Sequence, residues 1–332
     1  MTSTPAEIFN KLSSQFELAK SAGDLLFFAS TIEKHEDSGI EYELRVCPAL
    51  QKKPQSPATE LPDTLPRDKP DPFQSPYNPN LFLGELQDAD SGERYTVLLN
   101  KYSVVPRHFL LVTKEFQPQT SPLSPPDLVQ TYLLLAAARK KHQTFIAFYN
   151  CGDLSGASQA HKHIQFLPLD DDSEDGPPIE VKARDVKLES RVTPFALDLS
   201  YANHVYRFPE RFHSLKPEQM EPILANAFFG LLDLVISTIR HDPTYPAGKL
   251  SYNVVLTLEH MHLVPRRHED YVLSASGDAL SVNALAFAGM MLVKSEAELE
   301  AVRAEGISKI LRGVGLESVH EKQVLGSSAE ED

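Results

Sequence analysis

The chain has 332 residues, enough for one large core or two fused smaller ones. Its formal net charge of −14 argues against a broad electrostatic grip on nucleic acid or an anionic membrane, so an anionic substrate needs positive charge gathered locally. Apolar residues make up 42% of the chain and there are only 2 cysteines, Cys47 and Cys151, which fits a globular protein of a reducing compartment rather than a disulfide framework.

The N-terminus lacks a basic stretch followed by an apolar one. Instead Ile8, Phe9, Leu12 and Phe16 fall at helical spacing, which predicts an amphipathic helix. No stretch is expected to reach the length of a membrane span, so the expected location is the cytosol, with the nucleus as a second location. Residues 1–50 read as an N-terminal helix and strand segment. From 51 to 80 prolines crowd together and bar both helix and central strand, so this segment is expected to be an extended surface linker. The run "RYTVLLNKYSVVPRHFLLVTKEF" (94–116) then predicts a strand, a polar break and a second strand.

A helix follows with Ser124 as N-cap and Pro125 at its first position, burying Leu128, Val129, Tyr132, Leu133 and Ala136. After the strand "TFIAFYN" come a Gly/Ser-rich loop and a strand that begins "HKHIQ". The acidic stretch "DDDSEDG" (170–176) reads as solvated loop, and the end of the chain, 325–332, as a disordered acidic tail. A second run has similar grammar: a long helix from about Pro217 to Arg240, then "LSYNVVLTLEHMHLVPRRHEDYV" (250–272) as strand, turn and strand, then the short strand "MMLVK". The fragment "VVPRH" (104–108) is echoed by "LVPRRH" (263–268), a weak sign of duplication. The expected fold class is α/β (α+β), a mostly antiparallel sheet flanked by helices. Two related halves, 81–216 and 217–324, would share that sheet.

The chemistry is concentrated at "ASQAHKHIQFLPL" (157–169). On a strand, His161, His163 and Gln165 share one face while Ile164 and Phe166 point the other way, toward a core. The preceding loop carries Gly152 and Gly156, which let backbone amides approach an anion, and Ser155, Ser158 and Gln159, which can donate hydrogen bonds. It is not a Walker A loop, because no Gly-Lys-Ser/Thr closes it and a strand follows. Three interpretations compete: a plain strand with hydrogen-bonded histidines, a metal clamp completed by Asp153, and a neutral imidazole nucleophile that attacks phosphorus. The second pair, His260 and His262, lacks both the loop and the glutamine. It is expected to be structural, on a solvated or cleft-lining face, with metal binding a minor alternative.

The motif His-x-His-x-Gln after a Gly/Ser loop resembles the transferase branch of the histidine triad (HIT) superfamily. Its members include galactose-1-phosphate uridylyltransferase and the fungal diadenosine tetraphosphate phosphorylases, and the latter are the nearer match. The resemblance runs through "PALQKKP" (48–54), "DPF" (71–73), "LLNKYSVVPRHFLLVT" (98–113), "FYNCGDLSGASQAHKHIQ" (148–165), "SYNVVLTLEHMHLVPR" (251–266) and "GMMLVK" (289–294). It implies a HIT-like fold, with His163 as nucleophile, Gln165 hydrogen-bonding the α-phosphoryl group and His161 supporting the site. It places nucleotide contacts on Lys53, Asn100, Lys101, Asn150, Gly156, Ala157, Ser158 and Gln159. Further contacts fall on Asn283, Ala284, Leu285, Met290 and Lys294, although this chain has "NALA" where the family usually has "NSTG".

The implied reaction is phosphorolysis of diadenosine tetraphosphate (Ap4A) to ADP and ATP through an AMP-histidine, with inorganic phosphate as acceptor. ADP-dependent sulfate adenylyl transfer, with sulfate in place of phosphate, is implied as a second activity. Two in-line displacements predict net retention at phosphorus. No tightly bound cofactor and no protein metal site are expected; a divalent cation such as Mg²⁺ would accompany the polyphosphate. The expected partners are these nucleotides and phosphate, with no nucleic acid or membrane, and the chain is expected to be a monomer. The rivals are a dinucleoside polyphosphate hydrolase, a hexose-1-phosphate uridylyltransferase and a catalytically silent nucleotide binder.

Overall fold

The computed structural model describes residues 2–52, 71–169, 176–188 and 194–318. Lys53, most of the Pro-rich linker, the acidic run except Gly176, and the C-terminal tail lie outside the described residues.

Helix α1 (Pro5–Ser21) starts at a reciprocal cap: Glu7 N–H donates to the Thr4 hydroxyl, and Thr4 N–H donates to the Glu7 carboxylate. Its buried stripe is the one expected, Ile8, Phe9, Leu12 and Phe16, extended by Ala19. Strands β1 (Leu26–Phe27), β2 (Thr31–Asp37) and β3 (Ile40–Val46) complete the N-terminal segment. Then come β4 (Phe82–Gln87), β5 (Arg94–Leu99), β6 (Tyr102–Ser103) and β7 (Phe109–Thr113). Helix α2 (Pro125–Arg139) begins at the predicted Ser124 cap and buries the predicted stripe, with Leu133 only half-buried. It leads to β8 (Phe145–Cys151), β9 (His163–Pro168), α3 (Pro178–Arg184) and β10 (His204–Arg207).

Helix α4 (Pro217–Arg240) follows at the expected place, then the hairpin β11 (Tyr252–Leu256) and β12 (His260–Pro265). The chain ends with β13 (Asp270–Val272), β14 (Ala279–Ser281), α5 (Ala284–Phe287), β15 (Met290–Val293), α6 (Glu296–Glu305) and α7 (Ile307–Val314). By length and composition α4 could cross a membrane, contrary to the expectation that no stretch would. Here its buried residues Leu224, Ala227, Phe228 and Leu231 belong to the core between α2 and the sheet, as in the core helix of a globular fold.

The main sheet has 8 strands in the order β10-β12-β11-β8-β9-β7-β5-β4, every neighbouring pair antiparallel. Helices α1, α2 and α4 bury one face in a single apolar cluster. Much of the other face packs beneath α3, α5, α6, α7 and a small sheet, β15-β3-β2. The predicted strand at 290–293 exists, but it runs parallel to β3 and outside the main sheet. The segments α2-β8-β9 and α4-β11-β12 repeat one helix-hairpin pattern, and β8 pairs antiparallel with β11, so the two hairpins turn at opposite ends of the sheet. The "VVPRH" echo does not belong to this repeat: residues 104–108 lead into β7, whereas 263–268 form the end of β12 and the loop beyond it. The internal similarity lies in element order, not in those letters.

Candidate active site

Strand β9 has the expected alternation. Ile164 and Phe166 enter the helix-covered core, where Phe166 stacks on Phe109 at 4.6 Å. Val112 lies opposite His163 and Leu110 opposite Gln165, so the polar residues share the face that carries Leu98, Leu110, Val112 and Phe73. Phe73 lies over both imidazoles, with ring centroids 6.0 Å from His161 and 5.2 Å from His163.

The two histidines have different jobs because their nitrogens meet different partners. His161 precedes the strand proper and is buried. Its Nδ1 lies 2.7 Å from an Asp71 carboxylate oxygen, and its Nε2 lies 2.7 Å from the Thr113 carbonyl. The Thr113 hydroxyl also lies 3.1 Å from Nε2, so both ring nitrogens are engaged, with Nδ1 donating to Asp71. Neither nitrogen is left for a metal, and Asp153 is ion-paired with Lys249 at 3.3 Å. The clamp interpretation has no ligand set. His163 Nδ1, by contrast, donates to the His161 carbonyl at 2.7 Å, which puts the ring's remaining lone pair on Nε2. Burial pushes this imidazole down to about 4, against a smaller upward pull from the His161 carbonyl. His163 is therefore neutral at neutral pH and presents a nucleophilic nitrogen.

Gln119, which carries no motif signal in the sequence, ties the Gly/Ser loop to this strand. Its amide oxygen accepts the His163 backbone N–H at 2.8 Å, and its amide nitrogen donates to the Asn150 carbonyl at 2.8 Å. The loop is shaped by two glycines with left-handed backbone. Gly152 has φ +88° and Gly156 φ +80°. A Cβ on Gly156 would sit 2.7 Å from the Val282 carbonyl oxygen and 2.9 Å from Asn283 Cβ. The glycine is thus needed for close packing against Asn283 as well as for any anion.

Asn150, Gly156, Asn283 and Ala284, which lie far apart in the chain, are brought together. The Asn150 side-chain oxygen accepts from Asn253 Nδ2 at 2.8 Å and from the Ala284 backbone N–H at 3.0 Å. Its Nδ2 is buried and has no partner, an orphaned donor of the kind that marks a ligand contact. Asn283 caps α5 by accepting the Leu285 N–H, which is what the chain does with its "NALA" stretch. Fully buried Arg266 holds this corner from behind, donating to Asn253 Oδ1 at 2.6 Å, to the Ser155 carbonyl at 3.1 Å and to the Val282 carbonyl at 2.8 Å. Desolvation lowers its guanidinium to about 9, still charged at neutral pH.

The remaining predicted positions lie on several segments of the chain. Ala157 and Gln159 are half-buried and Ser158 is exposed. Asn100 lies beside His108, and Lys101 is exposed with its ammonium 5.8 Å above the Tyr102 ring. Leu285 belongs to α5, Met290 is buried at the start of β15, and half-buried Lys294 directly follows that strand. His108, Gln119, Asp71, Asn253 and Arg266 have no role assigned from sequence. All but Gln119 fall within the motifs quoted above, but only the fold shows what they touch.

The second histidine pair corrects an expectation. His260 and His262 are buried rather than solvated. Among the described residues, Glu180, His260 and His262 form a group whose ligand atoms lie within 4.8 Å of one another. The donor set is already used: Glu180 accepts from His260 Nδ1 at 2.9 Å and from the Thr257 hydroxyl at 2.8 Å, while Arg207 Nε donates to His260 Nε2 at 2.8 Å. Burial raises the Glu180 carboxyl, but the hydrogen bonds from His260 and His262 outweigh it and hold it at about 2. An arginine occupies the place of a cation, and the cluster sits at the far end of the sheet from the loop.

Two family models match the chain: the Ap4A phosphorylase N-terminal domain over residues 1–184 and the ATP adenylyltransferase C-terminal domain over residues 197–317. Diadenosine 5',5'''-P1,P4-tetraphosphate phosphorylase 2 of Saccharomyces cerevisiae is 32% identical over 302 residues, covering 87% of this chain and 88% of its own. Protein APA1 of the same yeast is 29% identical, covering 89% of each. The crystal structure of yeast Ap4A phosphorylase Apa2 in complex with Ap4A superposes with a TM-score of 0.75 at 28% identity, covering 96% of this chain and 100% of that one. With both domain models matched in order and most of each relative covered, the chain belongs to the Ap4A phosphorylase/ATP adenylyltransferase family.

Proposed function

We propose that this protein cleaves Ap4A by phosphorolysis to ADP and ATP. The observation that carries the proposal is the single free nitrogen of His163: Nδ1 is committed to the His161 carbonyl, leaving Nε2 unprotonated beside a Gly/Ser loop and Gln165. His163 Nε2 attacks the α-phosphorus and the bond to the bridging oxygen breaks, so ATP leaves and AMP stays on nitrogen. The new cationic ring keeps its Nδ1–H on the His161 carbonyl, which stabilises the charge as it develops. A phosphate oxygen then displaces the nitrogen, ADP leaves and the neutral imidazole returns. The first leaving group is a polyphosphate, which departs without a proton. A neutral glutamine donor at position 165 therefore suffices where a general acid would otherwise be needed.

No resident cofactor enters this scheme. A divalent cation is proposed to arrive on the polyphosphate, and adenylyl transfer involving ADP and sulfate would use the same His163 intermediate. The family relationship favours phosphorolysis over the uridylyltransferase and silent-binder alternatives, and Gln165 favours it over hydrolysis. The test is product analysis with Ap4A, with and without phosphate. ADP plus ATP that depends on phosphate is the expected result; AMP plus ATP regardless of phosphate would make the protein a hydrolase.

A further inference from the structure

We propose that His108 is the positioning residue of the site: it fixes the orientation of the Gln165 amide, so that the NH₂ end, not the oxygen, is left for a phosphoryl group. The proposal rests on the phosphorolysis reading for its catalytic meaning, but the geometry stands separately. His108 immediately precedes β7. The register that sets Leu110 opposite Gln165 makes His108 a diagonal neighbour of Gln165 on the same face.

The orientation is dictated by a backbone group. Tyr102 N–H donates to the side-chain oxygen of Asn100 at 3.2 Å, and a backbone N–H can only donate. Asn100 must therefore turn its NH₂ to the His108 ring, 3.1 Å from Nδ1 and 3.5 Å from Nε2, and the nearer nitrogen, Nδ1, is taken as the acceptor. A neutral ring with a bare Nδ1 carries its proton on Nε2, which lies 3.2 Å from Gln165 Oε1. The Gln165 oxygen is thereby engaged, and its Nε2 has no protein partner among the described residues.

Reversing the glutamine would bring its NH₂ against the His108 N–H, two donors face to face. Swapping the histidine tautomer would set an Nδ1–H against the Asn100 NH₂ at its shorter contact, leaving it only the longer one to Nε2, and turning Asn100 would set its NH₂ against Tyr102 N–H, which cannot invert. Protonating His108 would also set two donors together at Asn100. Burial opposes that, holding the ring at about 4.

A correctly turned donor is most useful in a buried site, because a donor already aimed at the developing charge needs no reorganisation during transfer. If His108 acts only through Gln165, its removal matters only while Gln165 is present. The test is a double-mutant cycle on the full-length protein with Ap4A and phosphate, joined to a tautomer measurement that does not need turnover. His108→Phe keeps a ring and loses the relay. It is expected to lower kcat roughly ten- to a hundredfold, with KM for Ap4A within about threefold. In the Gln165→Ala background the same change should cost no more than about threefold. Long-range ¹H–¹⁵N correlation of the histidine rings, with His108 assigned from the spectrum of His108→Phe, should find the proton on Nε2. Asn100→Asp, which offers acceptors on both sides, should shift that proton to Nδ1.

Full kcat in His108→Phe, losses that multiply in the double variant, or a proton on Nδ1 in the unmodified protein would overturn the proposal. Absence of turnover by the unmodified protein would instead refute the phosphorolysis reading. The tautomer measurement would then decide the relay alone.

Discussion

His161 Nδ1 and Asp71 Oδ2 are 2.7 Å apart, both side chains are buried, and 90 residues of chain separate them. The pair anchors the segment that carries Phe73 over the two histidine rings, and Phe73 N–H itself donates to Asp71 Oδ1 at 2.9 Å. Asp71→Asn replaces the carboxylate that accepts from both the His161 ring and Phe73 N–H by a neutral amide. It should cost about 1–3 kcal/mol of unfolding free energy, the usual consequence of weakening a buried hydrogen-bond network. Denaturant titration measures this, and an unchanged midpoint would mean that the pair does not anchor the segment.

Acid should separate activity from stability. His163 attacks only as the neutral ring, and burial holds it at about 4. The single-turnover rate of AMP transfer to the enzyme should stay level from pH 8 to about 5 and fall as the pH passes 4. A midpoint near 6.5 would place His163 in solvent. Stability behaves differently. His108 and His163 both have folded values below the ordinary 6.5, so between 6.5 and about 4 the unfolded chain binds protons that the native protein does not. Their stabilising contribution is present above pH 6.5 and is lost as pH falls through that window, on the order of a few kcal/mol. Urea midpoints measured across the window should decline toward acid.

Gly156 and Gly248 make a matched comparison. Both have left-handed backbone, at φ +80° and +76°, but only Gly156 has a neighbouring backbone in the path of a Cβ; nothing lies within 4 Å of one on Gly248. Gly248→Ala should cost about 1–2 kcal/mol of strain and leave the kinetics unchanged. Gly156→Ala must also push the loop off Val282 and Asn283, and should raise KM for Ap4A or lower kcat by roughly tenfold or more. Equal kinetics in the two variants would show that the contact with Asn283 does not shape the site.

Capping and spacing locate the helices in the sequence, and alternation locates the His-x-His-x-Gln strand. Ser124 and the Ile164/Phe166 core pair are the clearest cases, because local rules decide them. Other features depend on which distant strand lies alongside. Asn253 meets Asn150 only because β11 pairs with β8. His108 reaches Gln165 only through the β7–β9 register. The exposure assigned to His260 and His262 failed for a similar reason: alternation gives the two faces of a strand but not what covers each, and here Glu180 of α3 and Arg207 of β10 cover the pair.

That covered cluster gives a further prediction. Glu180 is the only carboxylate among the described ligand group, and without it the Arg207 charge loses its counterion through His260. Glu180→Gln should destabilise by about 3–5 kcal/mol while kcat at a permissive temperature stays within about threefold. Because Arg207 already satisfies His260, dialysis against a chelator should leave the thermal midpoint of the unmodified protein unchanged. A fall on chelation would assign the cluster a metal.

The most direct test of the account is to trap the covalent intermediate. The full-length protein is mixed with Ap4A in the absence of phosphate, quenched in alkali, digested and mapped by mass. The account predicts AMP on the peptide that carries His163, lost in His163→Ala, and released as ADP when phosphate is added before the quench. An enzyme that turns over Ap4A without ever carrying AMP, or that carries it equally well in His163→Ala, would contradict it.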